Sequence, residues 1–185
     1  MNSERLIYCE ITKNGDSYLI LPMEIIKAVP ADLIEVLYLL RVCVLDMNSR
    51  GWFYWDLQSP LIKEDIDNNT VFLYKQNEMT FGMISFNLKE IPEYRDINWN
   101  KASSKPLLIH HLMVHPKWRE KGIAKQLITF AERYGRENGF TSLRLDVLSE
   151  NQEAVSLYRE LSYQQMGEVT FHYQKVPYYC FEKRI

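Results

Sequence analysis

The run His115-Pro116-Lys117-Trp118-Arg119-Glu120-Lys121-Gly122-Ile123-Ala124 holds the residues of this chain best placed to do chemistry. Strand-like residues end at Pro116, a basic loop follows, and helical spacing starts near Ile123. The first N–H groups of a helix have no acceptor within it and point at one place, where the helix dipole adds partial positive charge. Phosphate binds such a place readily. Gly122 lets backbone approach a ligand closely, Ala124 keeps the first turn thin, and Lys117, Arg119, Lys121 and Lys125 bring positive charge. Neither G-x-x-x-x-G-K-[ST] nor G-x-G-x-x-G is present; the pattern is R-x-x-G-x-A.

The elements that must position this loop alternate between strand and helix along the chain. Leu6–Thr12 and Tyr18–Lys27 read as strands about an Asn14-Gly15 hairpin turn. Pro30-Ala31-Asp32 opens a helix with Leu33, Leu37, Leu40 and Val44 at helical spacing. An aromatic segment, Trp52 to Trp55, follows, then a weaker helix over Leu61–Asn69 and strands at Val71–Tyr74 and Met79–Asn87. Glu90 to Pro106 is polar and reads as a mobile loop. Leu107–Val114 is a strand. Ile123–Asn138 is a helix with Ile123, Leu127, Phe130, Ala131 and Tyr134 on one face and Gly139 as its C-terminal cap. Leu143–Leu148 alternates apolar with charged residues, as a half-exposed strand does. A short helix over Asn151–Leu161 and strands at Gln165–Tyr173 and Tyr178–Lys183 complete an α/β chain.

Composition bounds the partners. With 185 residues, 46% hydrophobic and 25% charged, the chain can bury one domain's core unaided. Lys plus Arg is 22 against Asp plus Glu 24, which argues against nucleic acid as partner. Cys9, Cys43 and Cys180 form no metal spacing and suit buried thiols in a reducing compartment. The N-terminus lacks the apolar core of a secretion signal, and Leu33 to Leu45 is too short and too charged to span a bilayer. A cytoplasmic protein without membrane contact is expected.

The run Ile109-His110-His111-Leu112-Met113-Val114-His115-Pro116, followed by Trp118 to Ala124, resembles the acetyl-CoA signature of the GNAT superfamily of N-acetyltransferases, and the closing Tyr179-Cys180-Phe181-Glu182-Lys183 resembles the last strand of many small bacterial members. Asn151, Ala154, Leu157-Tyr158 and Leu161-Ser162-Tyr163 resemble its second segment, with Ser162 where the family usually has Gly. The resemblance covers about Tyr18 to Ile185. It implies one GNAT domain over residues 1–185, with 1–17 an added strand before a core of 18–185. The implied fold is α/β (α+β): a central mixed, mostly antiparallel twisted sheet flanked by helices, with a splayed strand at the cofactor.

The resemblance also implies roles. Leu112, Met113 and Val114 would offer backbone to the pantetheine arm, and an amide near Met113 or Val114 would serve as oxyanion donor. Arg119, Glu120, Lys121, Gly122, Ile123, Ala124 and Lys125 would hold the pyrophosphate of acetyl-CoA, with no metal required. Asn151 would cap its helix and touch the cofactor arm. Tyr158 would be the general acid for the departing thiolate and line the cofactor site. His110, which matches the family pattern, or His111 would be the general base, the two side chains facing opposite sides by the two-residue period of a strand. Trp52, Trp55, Glu93, Tyr94 and His111, with Trp99 nearby, would bound the pocket of a small-molecule or peptide amine, aromatic walls and a carboxylate suiting a cation. A homodimer would be in keeping with the family. The competing reading is a non-catalytic module that binds coenzyme A and needs neither Tyr158 nor a base.

Overall fold

The computed structural model describes residues 9–13, 16–20, 23–52, 59–76, 79–87, 91–100, 105–171 and 176–185. Strands β1 (Cys9–Lys13) and β2 (Asp16–Ile20) pair antiparallel as a separate two-stranded ribbon. The strand expected over Tyr18–Lys27 is therefore two: β2, and β3 (Glu24–Lys27), which belongs to the main sheet. Pro22, which has no N–H for a ladder, falls between them. The Asn14-Gly15 turn lies outside the described residues.

The main sheet has seven strands. To β3 it adds β4 (Val71–Gln76), β5 (Met79–Asn87), β6 (Pro106–Val114), β7 (Ser142–Leu148), β8 (Gln164–Val169) and β9 (Tyr178–Arg184). Their order is β3-β4-β5-β6-β7-β9-β8, antiparallel except for β6 against β7. That parallel pair needs a crossover, supplied by helix α3 (Ile123–Glu137). The expected mixed, mostly antiparallel sheet flanked by helices is the observed one.

Both faces of the sheet are covered. Val71, Leu73, Met83 and Met113 pack under α1 (Leu33–Ser49) and α2 (Ser59–Asp67) with Val36, Leu39, Leu40, Cys43, Ile62 and Ile66. Their sequence neighbours Phe72, Tyr74 and Ile84 point the other way, toward α3 and Val155 and Tyr158 of α4 (Gln152–Glu160). No helix among the described residues is long and apolar enough to cross a membrane.

Two expectations are corrected here. β7 is not half exposed: Arg144 is 6% exposed and pairs with buried Glu182 at 2.8 Å, so the charges in its alternating pattern face protein rather than water. The segment Glu90 to Pro106, read as mobile, carries a short helical turn at Pro92–Asp96 and buries Tyr94 to 3% exposure, with Trp99 5.2 Å from its ring. Residues 88–90 and 101–104 lie outside the described residues.

Candidate active site

The parallel pairing of β6 with β7 lasts only from Pro106–Ser142 to Leu108–Arg144. Beyond it the strands part, while β7 stays paired to β9 through Leu148 and β6 stays paired to β5 through Val114. The backbone of β6 then faces a gap. His115 donates its N–H to Phe81 O at 2.9 Å, which sets the alternation of the β5–β6 ladder. Leu112 and Val114 accordingly turn their N–H and C=O toward the gap, and Met113 turns its own toward β5. Of the three residues expected to meet a cofactor arm through backbone, Met113 faces away, and its 7%-exposed side chain packs in the core under α1.

Just past this strand the loop to α3 takes the shape the sequence suggested, partly for another reason. Gly122 has φ +77, and Glu120 has φ +60, a conformation uncommon without Gly. A Cβ at Gly122 would meet nothing within 4 Å, so glycine is required by the backbone angle, and the space above it is open for a ligand. Gly122 O accepts from Gln126 N at 3.0 Å, whereas the N–H groups of Ile123, Ala124 and Lys125 have no acceptor among the described residues. Trp118 props the loop, its ring 4.2 Å from Phe81 and 4.1 Å from Lys121 Nζ. Arg119 is not a free cation at this loop. It donates to Asp46 Oδ2 of α1 at 2.6 Å, in a network with Arg50 and Glu153 of α4. Lys117, Lys121 and Lys125 are exposed there.

On the face toward α2, the structure changes the reading of the two histidines. The β5–β6 register skips His110: Ser85 pairs with His111 and Phe86 with Ile109. This β-bulge puts consecutive side chains on one side, so the expectation of opposite faces fails. The two rings lie 4.1 Å apart. His111 donates its N–H to Ser85 Oγ at 3.2 Å, and burial and the neighbouring His110 push its pKa down to about 3. That makes it too weak a base to take a proton near neutral pH. His110 is the exposed member, though enough protein surrounds its ring that desolvation holds its pKa below the ordinary histidine value against the opposing pull of Asp146.

Asp146 is the residue that sequence reasoning missed. It sits on β7 opposite Cys180 of β9 and accepts from Tyr94 Oη at 2.5 Å. Burial raises its pKa, Tyr94 and His110 lower it, and Glu93 raises it again, so Tyr94, His110 and Glu93 all converge on this carboxylate. The available signal is a second charge, two residues after Arg144, in a strand of alternating apolar residues, since a charge held within a fold needs a partner. Tyr94 is thus buried beside Asp146, not a wall of an open pocket. Trp99 donates Nε1–H to Tyr94 O at 3.2 Å and lies 4.5 Å from the Arg144 guanidinium.

After β7, Asn151 caps α4, accepting from Ala154 N at 3.2 Å. Tyr158 is 5% exposed, with Tyr163 and Phe181 rings 5.6 Å and 5.9 Å away. Burial first, and Asp146 second, keep its phenol protonated well beyond the usual range. The Trp52 ring lies 5.4 Å from Arg50, which is bound to Glu153. Trp55 lies outside the described residues. One ligand atom each of Asp65, His110 and His111 lies within 4.8 Å of the others.

The chain is similar to known proteins of one kind. It is 28% identical over 74 residues to an aminoglycoside N(6')-acetyltransferase type 1 of Salmonella typhimurium, covering 40% of this chain and 51% of that one. The chain spans 30–51% of the length of the curated relatives it matches. Its fold is shared with a GNAT-family acetyltransferase of Listeria monocytogenes, at TM-score 0.70 and 21% identity over 96% of this chain and 100% of that one. It is shared also with the PaiA N-acetyltransferase of Thermoplasma acidophilum, solved in complex with coenzyme A, at TM-score 0.67 and 17% identity over 89% and 100%. The model of the acetyltransferase (GNAT) family matches residues 41–163, about two-thirds of the chain and the stretch that carries β6, the basic loop, α3 and Tyr158, and the protein belongs to that family.

Proposed function

We propose that the protein transfers the acetyl group of acetyl-CoA to a primary amine of a small molecule or peptide. The observation that carries this is the end of the β6–β7 pairing at Leu108–Arg144, a few residues before helix α3, whose first N–H groups have no acceptor among the described residues. The residues fit the donor. Ile123, Ala124 and Lys125 would present to a pyrophosphate N–H groups without an acceptor among the described residues, Gly122 leaves space for it, and exposed Lys117, Lys121 and Lys125 would neutralise charge. Leu112 and Val114 offer strand backbone to an amide-bearing arm. The solved relative from Thermoplasma acidophilum holds coenzyme A on the same fold.

The residues then divide the work. An alkylamine has a pKa near 10.4, so only about one in a thousand is neutral at pH 7, and His110 takes the proton as the amine attacks. A backbone N–H of Leu112 or Val114 that faces the gap holds the oxygen as charge develops on it. The sulfur leaves as a thiolate, and Tyr158, kept protonated by burial, donates the proton it needs. Asp146 and Tyr94 set the field around His110. The aminoglycoside relative acts on an amine, as its name states, which supports an amine acceptor here.

The test is calorimetric titration of the full chain with acetyl-CoA, followed by thiol release over a panel of amines. Binding is expected at micromolar level and lost in Gly122→Asp, where a side chain at φ +77 costs about 1–2 kcal/mol and adds negative charge at the pyrophosphate. Absence of binding by any coenzyme A species would remove the transferase reading. Binding without thiol release from any amine would favour a non-catalytic module.

A further inference from the structure

The bulge that brings His110 and His111 to one side of β6 also turns both rings toward α2, where Asp65 faces them. We propose that Asp65, His110 and His111 bind a divalent transition metal of the zinc type, and that the bound ion closes the acceptor side of the gap. Three observations support the site. First, one ligand atom from each residue lies within 4.8 Å of the other two. Second, Asp65 has no structural employment for its carboxylate: it is half-buried and has no hydrogen bond or ion pair among the described residues. Asp67, on the same helix, is by contrast paired with Lys63 at 2.6 Å. Third, the backbone that aims Asp65 is fixed, because its carbonyl accepts from both the N–H and the hydroxyl of Thr70 at 3.0 Å.

The donor set selects the ion. Two imidazoles and one carboxylate suit zinc, cobalt or nickel, with a fourth position left for water. Magnesium and calcium prefer six or more oxygens and would bind poorly. Donors about 2.0–2.1 Å from a tetrahedral ion lie about 3.3 Å from one another, so the cluster must contract by about 1.5 Å at most, which side-chain torsions can supply. An ion held there occupies the ring nitrogen that His110 would use to take a proton. It therefore excludes the amine but leaves the phosphate loop untouched. Only this inhibitory consequence rests on the transferase reading; the metal site does not.

The experiment is titration of metal-free full-length protein with zinc and with cobalt, followed by calorimetry and by the visible absorption of bound cobalt, with magnesium as control. Expected are one equivalent of zinc or cobalt, no saturable magnesium binding, and cobalt bands of a four- or five-coordinate nitrogen–oxygen site. Asp65→Asn and His111→Ala should each weaken binding about tenfold or more, while Asp67→Asn leaves it unchanged. Absence of stoichiometric binding would overturn the site, as would binding that neither variant weakens. Asp65→Asn is near-isosteric and decides the matter if His111→Ala fails to fold. In thiol-release assays zinc should raise the KM for amine and leave the KM for acetyl-CoA unchanged. Bound metal with an undiminished rate would overturn the closure. A protein that binds zinc but acetylates no amine would leave the site standing and remove only the transferase reading.

Discussion

Replacing Tyr94 with Phe removes one oxygen from a partly buried pair and leaves the ring in place, so its cost can be worked from the geometry. The Tyr94 hydroxyl donates to Asp146 Oδ1 at 2.5 Å, a charge-assisted bond when the carboxylate is ionised. Such bonds contribute about 1.5–3 kcal/mol, which for a chain of this length is a melting-point loss of about 3–12 °C. The loss depends on pH in a determined direction. Burial raises the folded-state pKa of Asp146 above the ordinary carboxylate value, so between those two values the unfolded chain binds fewer protons than the folded one. Stability from this group therefore falls as pH rises through that window and levels off above it. Tyr94 limits the fall by favouring the ionised form. Tyr94→Phe should cost more at pH 8 than at pH 4, and in an Asp146→Asn background its cost should shrink and lose its pH dependence. Thermal melts of the four proteins of this cycle at both pH values measure it. An equal cost of Tyr94→Phe in both backgrounds, or one independent of pH, would refute the assignment of Tyr94 as the residue that holds the Asp146 charge.

Three further outcomes are expected. If Tyr158 is the proposed general acid, Tyr158→Phe should lower thiol release about 10²–10⁴-fold while calorimetry shows acetyl-CoA affinity nearly unchanged, because that role engages the hydroxyl only as the sulfur departs. His110→Ala, assayed with a chelator present, should lower kcat/KM by a similar factor, and His111→Ala by much less, since its ring is too weakly basic to take a proton. Gly82→Ala should destabilise by about 1–3 kcal/mol in denaturant melts, because its Cβ would lie 3.0 Å from Met113 O and 3.1 Å from Ile123 Cγ2, and backbone cannot give way as a side-chain tip can.

Features set by one stretch of chain were legible in the sequence. Helix α3 follows from Ile123, Leu127 and Ala131 recurring at helical spacing, and all three are buried. Asn151 reads as a cap from its own local chemistry and is one. Features set by partners remote in sequence were not legible. The charges of β7 look like a wet face until Arg144 is matched with Glu182 and Asp146 with Tyr94. Arg119 looks like a free cation until α1 brings Asp46 to it. Gly122 was expected for steric reasons, yet its backbone angle is what demands glycine. The expected stripe of helix α1 is part of the observed one: Leu40 and Val44 are buried and Leu33 and Leu37 are partly buried against the same cluster, while Val36, Leu39 and Cys43 widen it because α2 and the sheet together cover more than one side.

The bulge at His110 shows why the site in particular escaped a strand-by-strand reading. Register belongs to two strands at once, and nothing in Pro106–Val114 alone announces that one of its residues is skipped by β5. The skipped residue lies two positions past Leu108, the last of β6 to pair with β7. A bulge bends its strand and sharpens its twist. One extra residue thus turns β6 away from β7, opening the gap to the backbone of Leu112 and Val114. The same residue sets His110 and His111 on a common face beside Asp65 and within the field of Asp146. The opening proposed for a donor and the gathering of groups proposed to act on an acceptor would be two consequences of a single shift in register.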